Sequence, residues 1–189
     1  MHKITVALVL LTALVVPATP ASADVRDAAD GGFSIVHKLT IAAPRATVYG
    51  MVVDNVGDWW SSDHTFSGDA ANLYMTAEPN GCFCERLGSD GGLVHMTVTF
   101  VSPGAMLRLT GGLGPLGLLG VNGNMTLEFD ANDSRDDVTD LTLTYVVGGY
   151  RPGGLEELAP AVDYVLREQF NRLRDYAEGV NLDVADSSR

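Results

Sequence analysis

Four segments in the second half of the chain alternate apolar and polar residues with a period of two. They are residues 94–100, 107–110, 124–130 and 141–147, and their polar positions are rich in threonine. Successive strand residues point to opposite faces of a sheet. The alternation therefore predicts antiparallel strands with one face on a core and the other in solvent. Residues 33–41 are β-branched enough to predict a further strand.

Two other segments carry apolar residues at helical spacing. Residues 45–60 follow Pro44, which suits the first turn of a helix, and we expect Gly57 to break this helix. Residues 153–179 predict a long amphipathic helix that stops at Gly179. Its apolar stripe consists of Leu155, Leu158, Val162, Leu166, Gln169, Leu173 and Tyr176.

The order of these elements predicts an α+β fold. One strand and a short helical region are followed by five or more antiparallel strands and then by a single long helix. A curved sheet wrapped over one long C-terminal helix buries both apolar faces economically. We expect such an arrangement to leave a cavity between the sheet and the helix.

The amino-terminal residues have the pattern of a secretory signal peptide. Lys3 precedes an uncharged apolar run, which is shorter than the roughly 20 residues that span a bilayer, and Ala-Ser-Ala follows at 21–23. We therefore expect export to the periplasm or the medium after cleavage near Ala23. The predicted divisions are a signal peptide at 1–23, a flexible leader at 24–32, one domain at 33–179 and a tail at 180–189.

Charge narrows the range of partners. The formal net charge is −12 at pH 7, and so acidic a chain repels phosphate backbones and anionic lipid surfaces. This argues against nucleic-acid binding and against a stable membrane anchor. It indicates no particular protein partner.

Several local motifs resemble those of the SRPBCC, or START-like, superfamily. They are I-x-A-P-R-x-x-V-Y at 41–49, two tryptophans at 59–60, GCFCE at 81–85, V-S-P-G-x-x-L-R-L at 101–109, and the long last helix. The chain resembles above all bacterial proteins labelled polyketide cyclase/dehydrase-like, and more loosely the heat-shock ATPase-activator-like group. This resemblance implies a helix-grip fold and a pocket for a small hydrophobic molecule, without a cofactor.

The GCFCE segment is predicted to form one strand of a β-hairpin. Asp-Gly at 90–91 is a strong signal for a two-residue turn. In the register we favour, Glu85 lies opposite Met96, and both face the cavity with Phe83. The cysteines then face outward with His95. A slip of one residue reverses the two faces and puts Glu85 beside His95 on the outside.

The only two cysteines, Cys82 and Cys84, leave three interpretations open. The favoured one treats them as small strand residues. A disulfide would need a local distortion, because residues two apart in a strand are separated by about 6.6 Å and their side chains are parallel. A metal site with His95 would lack the usual ligand spacing, and we predict no metal.

Glu85 is the candidate acid–base residue, since a carboxylate facing an apolar cavity must be paired, shifted in pKa or in contact with a ligand. Polar groups of this kind orient an otherwise apolar ligand. The leading hypothesis is an exported binding protein for a lipid- or polyketide-like molecule. The alternative is a cofactor-free cyclase, dehydratase or isomerase that uses Glu85. The predicted ligand-binding residues are Trp60, Phe83, Glu85, Met96, Tyr145 and Gln169.

Overall fold

A computed structural model describes residues 23–182 of the chain. The predicted signal peptide, apart from Ala23, and the last seven residues of the tail lie outside this range. Within it, no helix combines the length and the apolar character that crossing a membrane requires.

Eight strands form one antiparallel sheet in the order β1-β2-β8-β7-β6-β5-β4-β3. From β3 to β8 each strand pairs with the next along the chain, and β2 closes the arrangement by pairing with β8. The strands are β1 (Ala23–Ala29), β2 (Gly32–Ile41), β3 (Leu73–Met75), β4 (Cys82–Leu87), β5 (Gly91–Ser102), β6 (Met106–Gly111), β7 (Gly120–Asn132) and β8 (Arg135–Tyr150).

Between the two undescribed ends, three α-helices accompany the sheet: α1 (Arg45–Asp54), α2 (Val56–Trp59) and α3 (Ala159–Ala177). The predicted first helix is divided at Asn55, and Gly57 lies inside α2 rather than at the break. Gly57 is required there, because a Cβ would come within 2.9 Å of the Ala70 carbonyl oxygen. Short 3-10 helices occupy Ser62–His64, Ala70–Asn72, Gly114–Leu118 and Glu156–Leu158.

The hydrophobic core lies between α3 and the inner face of the sheet. Leu127 and Leu143 of the sheet and Leu166 and Leu173 of α3 are all buried in one cluster. Burying each such leucine stabilises the fold by about 1.5–3 kcal/mol. The predicted α+β architecture, a curved antiparallel sheet wrapped over one long C-terminal helix, is therefore confirmed.

The chain that precedes the predicted domain differs from the expectation. Residues 24–32 were predicted to be a flexible leader, but Ala23–Ala29 form an edge strand that pairs with β2. The sequence of β1 does not predict a strand, because an edge strand with little buried surface needs no alternation of apolar and polar residues.

The hairpin of β4 and β5 has a different register from the predicted one. Leu87 pairs with Gly91, so three residues connect the strands instead of an Asp-Gly turn. Phe83 pairs with Met96, whereas its neighbour Cys84 pairs with Val94. His95 is therefore the extra residue of a β-bulge, which allows both His95 and Met96 to be buried.

Candidate functional site

A cavity of about 640 Å³ lies between strands β3 to β5 and α3. Its walls come from α3, from β3, β4 and β5, from the loop around residues 60–66, and from the turn at 113–119. This is the predicted place, between the sheet and the last helix.

Four aromatic rings form a continuous row along the cavity wall. The ring centroids are separated by 5.3 Å between Trp60 and Phe83, 5.0 Å between Phe83 and His95, and 6.1 Å between His95 and Phe66. Most of the other lining side chains are aliphatic, among them Leu113, Leu116, Leu119, Val162, Val165 and Leu166.

Three ionisable side chains of the lining, His64, Asp63 and Arg151, are at least partly exposed to solvent. His64 Nε2 lies 3.0 Å from the Glu168 carboxylate. Asp63 and Arg151 also line the cavity, and the Arg151 guanidinium donates to the Gly154 carbonyl oxygen at 3.0 Å. These three side chains can therefore interact with water as well as with a molecule in the cavity.

Glu85 is completely buried, but its carboxylate is held by the protein itself. It accepts hydrogen bonds from the backbone N–H groups of Phe66 and Ser67, and it lies 3.0 Å from His95 Nε2. Burial raises the pKa of Glu85, but the hydrogen bonds from Ser67, Phe66 and His95 outweigh it, and the pKa falls below its usual 4.5. The carboxyl group is therefore ionised at neutral pH.

His95 is the member of this pair that reaches the cavity. Only 5% of its surface is exposed. Burial lowers its pKa below the usual 6.5, and the opposing effect of Glu85 is smaller. The imidazole is therefore neutral at neutral pH. Its Nδ1 atom is buried and has no hydrogen-bond partner among the residues described.

Tyr145 fixes the turn that lines the cavity. Its hydroxyl accepts from the Leu113 backbone N–H at 3.1 Å and donates to the Gly111 carbonyl oxygen at 3.2 Å. Burial raises the pKa of Tyr145 to about 12. Its ring lies so close to Gly123 that a Cβ at that position would come within 2.4 Å of it.

A second, inner cavity of about 40 Å³ adjoins the main one and shares Trp60 and Phe83 with it. Gln169 lines this inner cavity. Its Oε1 accepts from the Ser61 backbone N–H at 2.8 Å. Its Nε2 has no partner within residues 23–182.

The structure separates the predicted ligand-binding residues into three groups. Trp60 and Phe83 line both cavities, whereas Gln169 lines the inner one alone. Within the described chain, Glu85, Met96 and Tyr145 line neither cavity. For Glu85 and Tyr145 the reason is that their polar atoms bind backbone groups of the neighbouring loops.

Two residues of the aromatic row were missed from the sequence. His95 was placed on the outer face, because the alternation of β5 was read without a bulge. Phe66 lies in an irregular loop that has no periodicity. One sequence signal for His95 was the alternative hairpin register. It correctly put His95 beside Glu85, but on the outer face of the sheet, whereas the pair is buried.

The two cysteines form a disulfide, and the favoured interpretation as small unbonded strand residues was wrong. Their Cα atoms are 5.4 Å apart, compared with about 6.6 Å for a regular strand. The distortion that this bond requires is therefore present, at the place where the register between β4 and β5 shifts. In the described part of the chain, no three His, Cys, Asp or Glu residues are grouped so that they could hold a metal ion.

No protein-family model and no curated protein matches the chain. Solved structures do. CalU16 from Micromonospora echinospora is 16% identical, with 87% of each chain covered and a TM-score of 0.56. Ara h 8.0201 is 13% identical, with 79% of this chain and 99% of that chain covered and a TM-score of 0.55.

DynU16, a protein of the dynemicin biosynthetic locus, is 16% identical over 77% of this chain and 47% of that chain, with a TM-score of 0.51. The fold is the helix-grip fold of the START-like type. At these identities the likeness establishes the fold and leaves the activity open.

Proposed function

We propose that this protein binds a small hydrophobic molecule in the cavity between the sheet and α3. The observation that carries the proposal is the cavity itself, about 640 Å³ in volume and lined mainly by aromatic and aliphatic side chains. Ligand pockets in proteins have volumes of about 300–1,000 Å³, with apolar walls and a few polar groups. Burial of apolar ligand surface would supply most of the binding free energy.

The ligand class in this proposal is lipid- or polyketide-like. It rests on the motifs that resemble polyketide cyclase/dehydrase-like proteins. The likeness in fold to CalU16 and to DynU16 of the dynemicin biosynthetic locus is consistent with this class.

We favour a binding function over an enzyme that uses Glu85 as its acid–base group. The Glu85 carboxylate is ionised and occupied by two backbone N–H groups and His95. A general acid or base must instead reach the substrate.

The proposal includes export. An uncharged apolar run after Lys3 and the small residues at 21–23 support cleavage near Ala23. The measurement is amino-terminal sequencing of the protein recovered from the producing cells and their medium. A mature protein that begins at Asp24 is the expected result, and a cell-bound protein that begins at Met1 would contradict export.

Cavity binding can be tested by filling the space. Val165 of α3 is half-buried and lines the cavity, so Val165→Trp puts an indole where the ligand would lie. We expect the affinity for apolar probes that stabilise the wild type to fall at least about tenfold, because the apolar surface for contact is lost. Thermal shift and calorimetric titration measure this.

Tyr164→Trp is the matched control. Tyr164 is the preceding residue of α3 and is 59% exposed, so the same large side chain there leaves the cavity open. Unchanged affinity in this variant together with loss in Val165→Trp supports the proposal. Equal affinities in both variants, or no binding by the wild type from a panel of lipids and polycyclic molecules, would overturn it.

A further inference from the structure

The bulge in β5 gives the apolar cavity one polar ring. His95 has no partner residue across the ladder and is turned towards the interior beside Glu85. Its imidazole lies in the aromatic row, between Phe83 and Phe66. Of the four rings in that row, only this one can accept a hydrogen bond through a ring nitrogen.

The contacts of Glu85 determine which nitrogen of His95 carries hydrogen. An ionised carboxylate only accepts hydrogen bonds, and Glu85 is kept ionised by the N–H groups of Phe66 and Ser67. The nitrogen that faces it, Nε2, must therefore be the donor. A neutral imidazole has a single N–H, so Nδ1 presents a lone pair.

This lone pair is unused within the described chain. Nδ1 is buried and no donor in residues 23–182 reaches it. A buried acceptor without a donor is costly, and native proteins leave few of them. Because His95 and both flanking rings line the cavity, a molecule in the cavity is the natural source of the missing donor.

We propose that the ligand is an apolar molecule with a hydroxyl group, and that this hydroxyl donates a hydrogen bond to His95 Nδ1. The inference rests on the proposed binding function and specifies the ligand class that the cavity selects. Glu85 is then a positioning residue, which fixes the tautomer of His95 without contact with the ligand. Apolar molecules that have no donor bind in the same space and leave the lone pair unpaired.

A matched pair of probes tests the hydrogen bond. 2-Naphthol and 2-methoxynaphthalene share one ring system and differ in that the methyl ether has no donor. Calorimetric titrations near pH 7.5 give the ratio of their affinities. We expect His95→Phe, which keeps a ring between Phe83 and Phe66, to lower the preference for naphthol about tenfold relative to the wild type, as loss of one buried hydrogen bond predicts.

Phe83→Leu is the control variant, because Phe83 contributes apolar surface to the cavity and no hydrogen bond. It should weaken both probes and leave their ratio unchanged. A preference that persists in His95→Phe would overturn the inference while the binding function stands. If the wild type binds neither probe but binds other apolar molecules of the panel, the inference is overturned and the binding function stands. If it binds no member of the panel, both are overturned.

A second measurement needs no variant. Nitrogen-15 NMR of the histidine rings distinguishes the two tautomers and detects a donor at the unprotonated nitrogen. We expect His95 to carry its hydrogen on Nε2, and its Nδ1 signal to shift with naphthol but not with the methyl ether. A His95 ring with hydrogen on Nδ1, or equal shifts with both probes, would contradict the assignment.

Discussion

At the scale of single residues, Glu85 is a buried charge that accepts hydrogen bonds from the backbone. Its carboxylate satisfies the N–H groups of Phe66 and Ser67, which belong to a loop without strand partners of its own. The same loop supplies Phe66 to the cavity wall. The charge thus stabilises the shape of the cavity and orients His95.

Substitution of Glu85 by glutamine should reveal this function as a loss of stability. The amide retains one acceptor oxygen where two backbone N–H groups need one each, and a buried donor left unpaired costs about 1–3 kcal/mol. We expect the free energy of unfolding in urea to fall by about 2 kcal/mol for Glu85→Gln.

Glu168→Gln makes the same chemical change in the part-exposed pair with His64. A pair of this kind contributes about 0–1 kcal/mol, so this control should lose much less. Equal losses in the two variants would show that the backbone contacts of Glu85 are not the source of its effect.

At the scale of secondary-structure elements, regular strands are the part of the fold that the sequence predicts well. In β7 and β8 the apolar residues of the alternating pattern, such as Leu127 and Leu143, are all on the buried face. The prediction is correct there because the β7–β8 pairing has no register shift between Gly120 and Ala131, so side chains alternate regularly between the two faces. In β5 it fails in two places, because the register shifts at His95 in the pairing with β4 and between Val98 and Phe100 in the pairing with β6. His95 is therefore buried, whereas Phe100 is exposed.

Candidate site residues are harder to predict for the same reason. Trp60 and Phe83 follow from their position at element ends and on an inward face. The contacts of Glu85 and Tyr145 depend on loops at 66–67 and 111–113, whose course no local pattern encodes. The disulfide was likewise underestimated, because a strand was assumed to be regular where it is contracted.

Packing between β7 and β8 provides a prediction at this scale. Gly123 on β7 leaves room for the ring of Tyr145 on β8, whose nearest atom would lie 2.4 Å from an added Cβ. Gly123→Ala should displace that ring and the turn that it holds, and should lower the free energy of unfolding by about 1–3 kcal/mol.

Gly92→Ala is the control for adding a methyl group to a strand. The nearest atom to a Cβ there is the Glu85 carbonyl oxygen, at an ordinary 3.5 Å. Its effect should stay within about 0.5 kcal/mol. If both alanine variants unfold at the same urea concentration as the wild type, the close approach of Tyr145 to Gly123 is not a constraint.

For the whole molecule, two buried imidazoles determine how stability responds to acid. Burial lowers the pKa of both His37 and His95 below the usual 6.5. His37 faces Asp163, at 3.2 Å, and the more distant Arg167, whereas His95 faces Glu85. The unfolded chain therefore binds protons below pH 6.5 that the folded protein excludes.

The two neutral imidazoles should make their whole contribution to the free energy of unfolding above pH 6.5. This contribution should fall as the pH drops from 6.5 towards the lower pKa values of the folded protein. The slope for each imidazole is at most about 1.4 kcal/mol per pH unit. Glu85, whose pKa is also lowered, adds to the loss below its usual 4.5. Urea unfolding at several pH values between about 7.5 and 4 measures this.

His95→Phe should flatten the slope between about pH 6.5 and 5, whereas His64→Phe, at a part-exposed position, serves as the control for loss of a histidine. If the free energy of unfolding of the wild type stays constant or rises as the pH falls from 6.5 to 5, the assignment of two neutral buried imidazoles is contradicted.

The pairing of β2 with β8 also has a consequence for the order in which the strands pair during folding. Strands β3 to β8 can form one after another during synthesis, since each pairs with its neighbour along the chain. Gly32–Ile41 must wait for residues 139–148, about a hundred positions later, and such distant contacts form slowly. Until that closure, α3 has no complete sheet to cover, so the nascent chain exposes the apolar surfaces that later line the cavity.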